Sequence, residues 1–187
     1  MACEAMKDTL YAPLPLSLYN QLAQIKLLVC DVDGVFSDGR IYLGNNSEEL
    51  KAFHTRDGYG VKALVSHGVE VAVITGRRSK IVEDRMKALN VAHIIQGEEN
   101  KQQALSALMA TLSLTSAQVA AVGDDMPDTG MFRHADIKIA VNDAHPMVIH
   151  QANWVTQTRG GFGAVREISD TLLQAQGNLG GIQGASV

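Results

Sequence analysis

Residues 25–34 read IKLLVCDVDG, an apolar run interrupted only by Lys26 and closed by Asp31, Val32, Asp33 and Gly34. A short apolar run that ends in an acidic turn is the pattern of a strand buried on both faces of a parallel sheet. Further apolar runs lie at 69–74 (VEVAVI), 93–96 (HIIQ), 119–122 (VAAV) and 137–141 (IKIAV), with a weaker one at 154–156. Helical spacing separates them at 58–67, 79–89, 101–112 and 146–152; in the second, Ile81, Val82, Arg85, Met86 and Leu89 mark one face. Strands alternating with helices imply βαβ units and right-handed crossovers. The expected fold class is therefore α/β, a parallel sheet flanked by helices.

One stretch breaks the alternation. Residues 39–53 (GRIYLGNNSEELKAF) hold two strand-like pieces, 40–43 and 50–53, around Gly44, Asn45, Asn46 and Ser47, and read as a β-hairpin inserted after the first strand. The chain divides into a segment 1–24, an α/β domain 25–176 with the hairpin at about 39–53, and a tail 177–187 whose four glycines predict mobility. At 187 residues one domain is expected, with nothing left over for a lid.

Composition narrows the function. Hydrophobic residues make up 46% and charged residues 19%, the balance of a folded soluble protein. Sixteen Lys and Arg against twenty Asp and Glu leave a net charge of -4, so no global basic field would hold a nucleic acid. Any anion must be gripped by local charge. No apolar stretch approaches the roughly 20 residues that cross a bilayer. Residues 1–18 carry Glu4, Lys7, Asp8, Pro13 and Pro15 rather than a signal-peptide pattern, so a cytoplasmic protein is expected, without membrane contact. Cys3 and Cys30 lack metal-ligand spacing, and Cys30 reads as a buried reduced thiol.

Ligands of open parallel sheets gather beyond the carboxyl ends of the strands, and there the loops are conspicuously polar. The first run ends in Asp31-Val32-Asp33-Gly34, the second in Thr75-Gly76-Arg77-Arg78, the fourth in Gly123-Asp124-Asp125-Met126-Pro127-Asp128. In extended chain Asp31 and Asp33 point to the same side, and two like charges aimed at one spot call for a cation. An all-oxygen donor set suits Mg2+ better than a Cys or His metal. A carboxylate can then attack phosphorus while a second protonates the leaving alkoxide and later deprotonates water. Asp31 is assigned as nucleophile and Asp33 as acid/base, with the Thr75 hydroxyl and the Lys101 ammonium on the phosphoryl oxygens.

Taken in order, Asp31-Val32-Asp33-Gly34-Val35, Ile74-Thr75-Gly76-Arg77, Lys101 and the 123–128 loop resemble the motifs of the haloacid dehalogenase superfamily. The resemblance implies a Rossmann-like sheet and Mg2+ held by Asp31, the Asp33 backbone carbonyl and Asp124. It places Thr75 and Lys101 on the phosphate, with Asp125 and Asp128 orienting the site from behind. Ser37-Asp38-Gly39, the stretch 51–60 (KAFHTRDGYG), residues 82–85 and the stretch 160–167 (GGFGAVRE) further resemble a capless family within it, the phosphatases of 3-deoxy-D-manno-octulosonate 8-phosphate. That likeness implies a phosphorylated sugar-acid substrate, a product that feeds lipopolysaccharide synthesis, and a homotetramer with its hairpins packed together. It carries substrate contacts to Asp33, His54, Thr55, Arg56, Asp57, Gly58, Gly76, Arg77 and Arg85. The stretch Gly160-Gly161-Phe162-Gly163 lacks a phosphate-loop context and reads as a flexible connector into the last helix. The competing readings are a phosphatase for another small phosphosugar, a dehalogenase, a phospho-accepting signalling domain and a silent tetramerisation domain. The intact carboxylates speak against the last two.

Overall fold

A computed structural model describes residues 4–181. The chain opens with paired two-residue strands β1 (Met6–Lys7) and β2 (Leu14–Pro15), followed by helix α1 (Leu16–Leu22). The body then runs β3 (Leu27–Cys30), β4 (Tyr42–Leu43), β5 (Glu49–Leu50), α2 (Thr55–Ser66), β6 (Glu70–Thr75), α3 (Lys80–Ala88) and β7 (His93–Gln96). It continues through α4 (Lys101–Leu112), β8 (Val119–Gly123), α5 (Thr129–Phe132), β9 (Ile137–Ala140), α6 (Pro146–Gln151), β10 (Trp154–Val155) and α7 (Ala164–Ala175).

Six strands form one parallel sheet in the order β10-β9-β8-β3-β6-β7. The chain builds outward from β3 through β6 to β7, then returns to the other side of β3 with β8. The strand order therefore reverses between β3 and β8, and at such a switch point the loops part to leave a crevice. Leu27, Leu28, Val29 and Cys30 are all fully buried, as a strand covered on both faces requires. The expected α/β class holds, and among the described residues no second lobe stands over the strand ends.

Three expectations change. The hairpin strands are shorter than the sequence suggested, two residues each, with Tyr42 opposite Leu50 and Leu43 opposite Glu49. Their apolar side chains stay in solvent, so no burial extends the ladder. The stretch 160–163 is a packed loop rather than a flexible connector: Gly160 N–H donates to Asp143 Oδ1 at 2.9 Å and Gly161 N–H to the Val35 carbonyl at 2.9 Å. Of the tail, Leu179–Gly181 forms a short 3-10 turn with Leu179 against the core, while 182–187 lie outside the described residues. Unforeseen in the sequence, α1 inserts Leu18 and Leu22 into the core, so the N-terminal segment is part of the domain.

Candidate active site

Cys30 is level with Val73 of β6 and Val122 of β8, so the residues that follow these strands emerge at one edge. They enclose a cleft of about 570 Å³ lined by Asp31, Asp33, Thr75, Gly76, Arg77, Lys101, Asp124, Asp125 and Asp128, with Gly39, Glu99 and Pro127. The three loops singled out in the sequence thus converge. Gly34, at φ +95°, turns the chain after Asp33, and a Cβ there would lie 2.1 Å from Asp124 Oδ2. Only glycine lets these two loops approach so closely.

Lys101 is the hub. It begins α4, whose Asn100 cap accepts from Gln103 N–H, and the helix start aims the ammonium inward. Its Nζ donates to Asp31 Oδ1 at 2.6 Å and to Asp128 Oδ1 at 2.7 Å. The other oxygen of Asp128 accepts from the backbone N–H groups of Asp124 at 2.8 Å and Asp125 at 3.2 Å. Both Asp128 oxygens are therefore spent holding the loop and the lysine. Asp125 accepts from Met126 N–H at 2.8 Å, which closes the same turn.

The charge balance in the cleft is unfavourable to anions alone. Oxygens of Asp31, Asp124 and Asp128 lie within 4.8 Å of one another. Burial, then the Asp128 charge, pushes the Asp31 carboxyl up to about 6 despite Lys101. Burial, then Asp128, Asp31 and Asp125, pushes Asp124 up to about 8. For Lys101, burial opposes the charge, but the two carboxylates outweigh it and hold the ammonium above its usual range. An all-carboxylate group whose members cannot all ionise unaided is a site fitted to a hard divalent cation. Asp128 being occupied, Asp31 and Asp124 are the side chains available to hold Mg2+.

Asp33 sits beside this group but answers to the hairpin. Its Oδ1 accepts from Lys51 Nζ, and its Oδ2 faces Arg77 Nε at 3.9 Å. Lys51 also faces Glu49 Oε1 at 3.5 Å, and Glu49 Oε2 accepts from Arg77 Nη2 at 3.2 Å. Lys51 and Glu49 are functional neighbours that the sequence reading did not place in the site. Neither carries a periodic or spacing signal; only their place in and directly after β5, beside the first loop, would point to them. Thr75 is buried at the cleft wall, its Oγ1 accepting from Arg77 N–H at 3.4 Å.

The structure does not bring the remaining expected contacts into the cleft of this chain. His54 caps α2, accepting from Arg56 N–H at 3.1 Å, and Thr55 and Arg56 form the exposed first turn. Asp57 is 1% exposed and turns away from the cleft to accept from Arg166 N–H at 2.8 Å at the start of α7. Burial holds its carboxyl up at about 6, against the backbone hydrogen bonds that lower it. Gly58 makes room for Arg85, whose Nη2 lies 2.5 Å from where a Cβ would stand. Neither lines the carboxylate cleft.

A parallel sheet with its switch point at β3, a buried Asp31 clasped by Lys101 and an Asp124 loop opposite define a haloacid dehalogenase-like hydrolase without a cap. Residues 90–168 match the model of the haloacid dehalogenase-like hydrolase family. The chain is 46% identical over 187 residues, 100% of both chains, to the 3-deoxy-D-manno-octulosonate 8-phosphate phosphatase KdsC of Yersinia pestis. The crystal structure of the Yersinia pestis phosphatase matches at a TM-score of 0.96 and 46% identity, covering 99% of this chain and 100% of that one. The Moraxella catarrhalis phosphatase, solved with magnesium, phosphate and a KDO molecule, matches at 0.86 and 39% identity, covering 88% and 95%. The chain belongs to the family of 3-deoxy-D-manno-octulosonate 8-phosphate phosphatases.

Proposed function

We propose that this protein hydrolyses 3-deoxy-D-manno-octulosonate 8-phosphate to the free sugar acid and inorganic phosphate, a step toward lipopolysaccharide. The observation that carries the reading is the Asp31–Lys101–Asp128 clasp facing Asp124 at the strand switch point, in a chain that matches its relatives from end to end. Asp31 and Asp124 side chains, with the Asp33 backbone carbonyl, would hold Mg2+. The bound cation supplies charge neutralisation for the phosphoryl oxygens.

Asp31 attacks phosphorus, and its new bond forms as the bond to the sugar oxygen breaks. Asp33 gives its proton to that departing alkoxide. In the second half Asp33 takes a proton from water as water displaces Asp31 from phosphorus, which restores the Asp31 carboxylate and the Asp33 acid and releases phosphate. Lys101, held by Asp128, offers its ammonium to the phosphoryl oxygens, and the Thr75 hydroxyl lines the same wall. Arg77 borders the cleft and is the basic group best placed for the substrate's carboxylate.

The reading extends to a cytoplasmic homotetramer whose hairpins pack together and whose domain takes in α1 as well as 25–176. Ile41, Tyr42, Leu43 and Leu50 are exposed on a hairpin too short to be stable in water by itself, which supports burial against other copies. Light scattering of the wild type and of Leu43→Asp checks it: a tetramer that the variant splits is expected. The decisive experiment on function is phosphate release from 3-deoxy-D-manno-octulosonate 8-phosphate beside hexose and pentose phosphates, with Mg2+ and with a chelator. A flat profile would remove the specific substrate, and activity in chelator would remove the metal.

A further inference from the structure

Four charges form a closed ring between the first loop, the hairpin and the loop after β6. Asp33 Oδ1 bonds Lys51, Lys51 faces Glu49 Oε1 at 3.5 Å, Glu49 Oε2 bonds Arg77 at 3.2 Å, and Arg77 Nε returns to Asp33 Oδ2 at 3.9 Å. The Lys51 side chain has no exposed surface, whereas that of Asp33 is 20% exposed toward the cleft. A lysine stem buried to this degree has given up its hydration, so its head must be satisfied by protein groups. Asp33 provides the hydrogen bond, and Glu49 Oε1, at 3.5 Å, adds a charge contact only. The arrangement is asymmetric about Asp33: Oδ1 is taken, while Oδ2 at 3.9 Å from Arg77 is beyond hydrogen-bond reach.

We propose that Lys51 is a positioning residue for the acid/base: it pins Asp33 Oδ1 so that Oδ2 is presented to the reacting oxygen, tying the hairpin to the catalytic centre. This rests on the phosphatase reading above. The proton still travels between Asp33 and the leaving alkoxide, and later between water and Asp33; Lys51 neither gains nor loses one. Glu49 holds Lys51 and Arg77 in place from the far side of the ring.

Leaving-group dependence tests the role, because p-nitrophenolate departs without a proton and an alkoxide does not. In Lys51→Met, kcat/KM for 3-deoxy-D-manno-octulosonate 8-phosphate should fall about 10- to 100-fold more than for p-nitrophenyl phosphate, in keeping with the weight of general acid catalysis and of small misplacements. Lys51→Arg, which can still donate to Asp33, should recover most of the ratio. Lys51→Gln reads the same ratio in a variant that keeps a donor, should Lys51→Met not fold. Equal falls on both substrates, or none, would overturn the proposal in favour of a structural lysine. Wild-type turnover of both substrates reads the phosphatase assignment separately, since only the ratio between variant and wild type bears on Lys51.

Discussion

Two aspartates two residues apart take their lysines from opposite kinds of structure. Asp31, 6% exposed, is clasped by Lys101 from the first turn of a twelve-residue helix packed on the sheet. Asp33 is clasped by Lys51 from a hairpin whose strands are two residues long and lie outside the sheet. Both aspartates stand in the loop after β3, but the nucleophile's lysine comes from a long helix packed on the sheet and that of the acid/base from one of the least regular elements. Attack on phosphorus demands a fixed oxygen, whereas Asp33 must serve two proton transfers at different atoms. A partner on an irregular element suits that second task.

The largest effect that can break this comparison is Asp31→Asn, which should abolish phosphate release while leaving a cooperative melting transition; a phosphate assay beside circular dichroism checks both. Next, Lys101→Met leaves Asp31 and Asp128 buried without a counter-charge and should cost about 3–5 kcal/mol, read by urea unfolding, together with the activity. Lys51→Met should cost less stability by the same measurement, since Asp33 keeps contact with solvent and with Arg77. If the two losses were equal, the helix-held and hairpin-held aspartates would not differ in the way described.

Asp124→Asn should do the opposite. The folded-state pKa of Asp124 is raised to about 8, so the folded protein holds a proton there that the unfolded chain releases near 4, and stability without metal falls as pH rises across that window. Asparagine removes the penalty, raising the chelated protein's stability at pH 8 by roughly 1 kcal/mol or more, a gain of about 2–4 °C in melting temperature. Mg2+ should then stabilise the wild type and not the variant. The smallest effect expected is Asp57→Asn. Its Oδ1 can still accept from Arg166 N–H, so kcat/KM should stay within about twofold of wild type, while Asp57→Ala should lose about 1–3 kcal/mol of stability. A large kinetic loss in Asp57→Asn with unchanged melting would return this residue to the substrate.

Much of the site was legible because its residues terminate apolar runs. Once 25–30, 69–74 and 119–122 are read as parallel strands, Asp31, Thr75 and Asp124 must share an edge, and the register of Cys30 with Val73 and Val122 bears this out. Lys101 was legible as the start of a helix that begins where the spacing put it. The stretch 54–58 was not decided by pattern, for a physical reason: a run of polar residues at a helix start looks alike whether it meets a ligand or caps the helix. Here His54 caps α2 and Asp57 serves α7. The glycines at 160–163 misled, since small residues permit tight packing as readily as motion.

The sequence by itself determined the chemistry: which carboxylates, hydroxyl and ammonium stand at the strand ends, because a buried parallel strand delivers the next residue to a known edge. The tertiary structure alone decided how each carboxylate is used. Asp128 is consumed by Lys101 and two backbone amides, Asp33 is handed to a lysine 18 residues away, and Asp57 is committed to a helix 109 residues further on. Local pattern sets where an element lies, but a charge has no period of its own. Its partner is chosen by whichever opposite charge or free amide the packed core brings within about 3 Å.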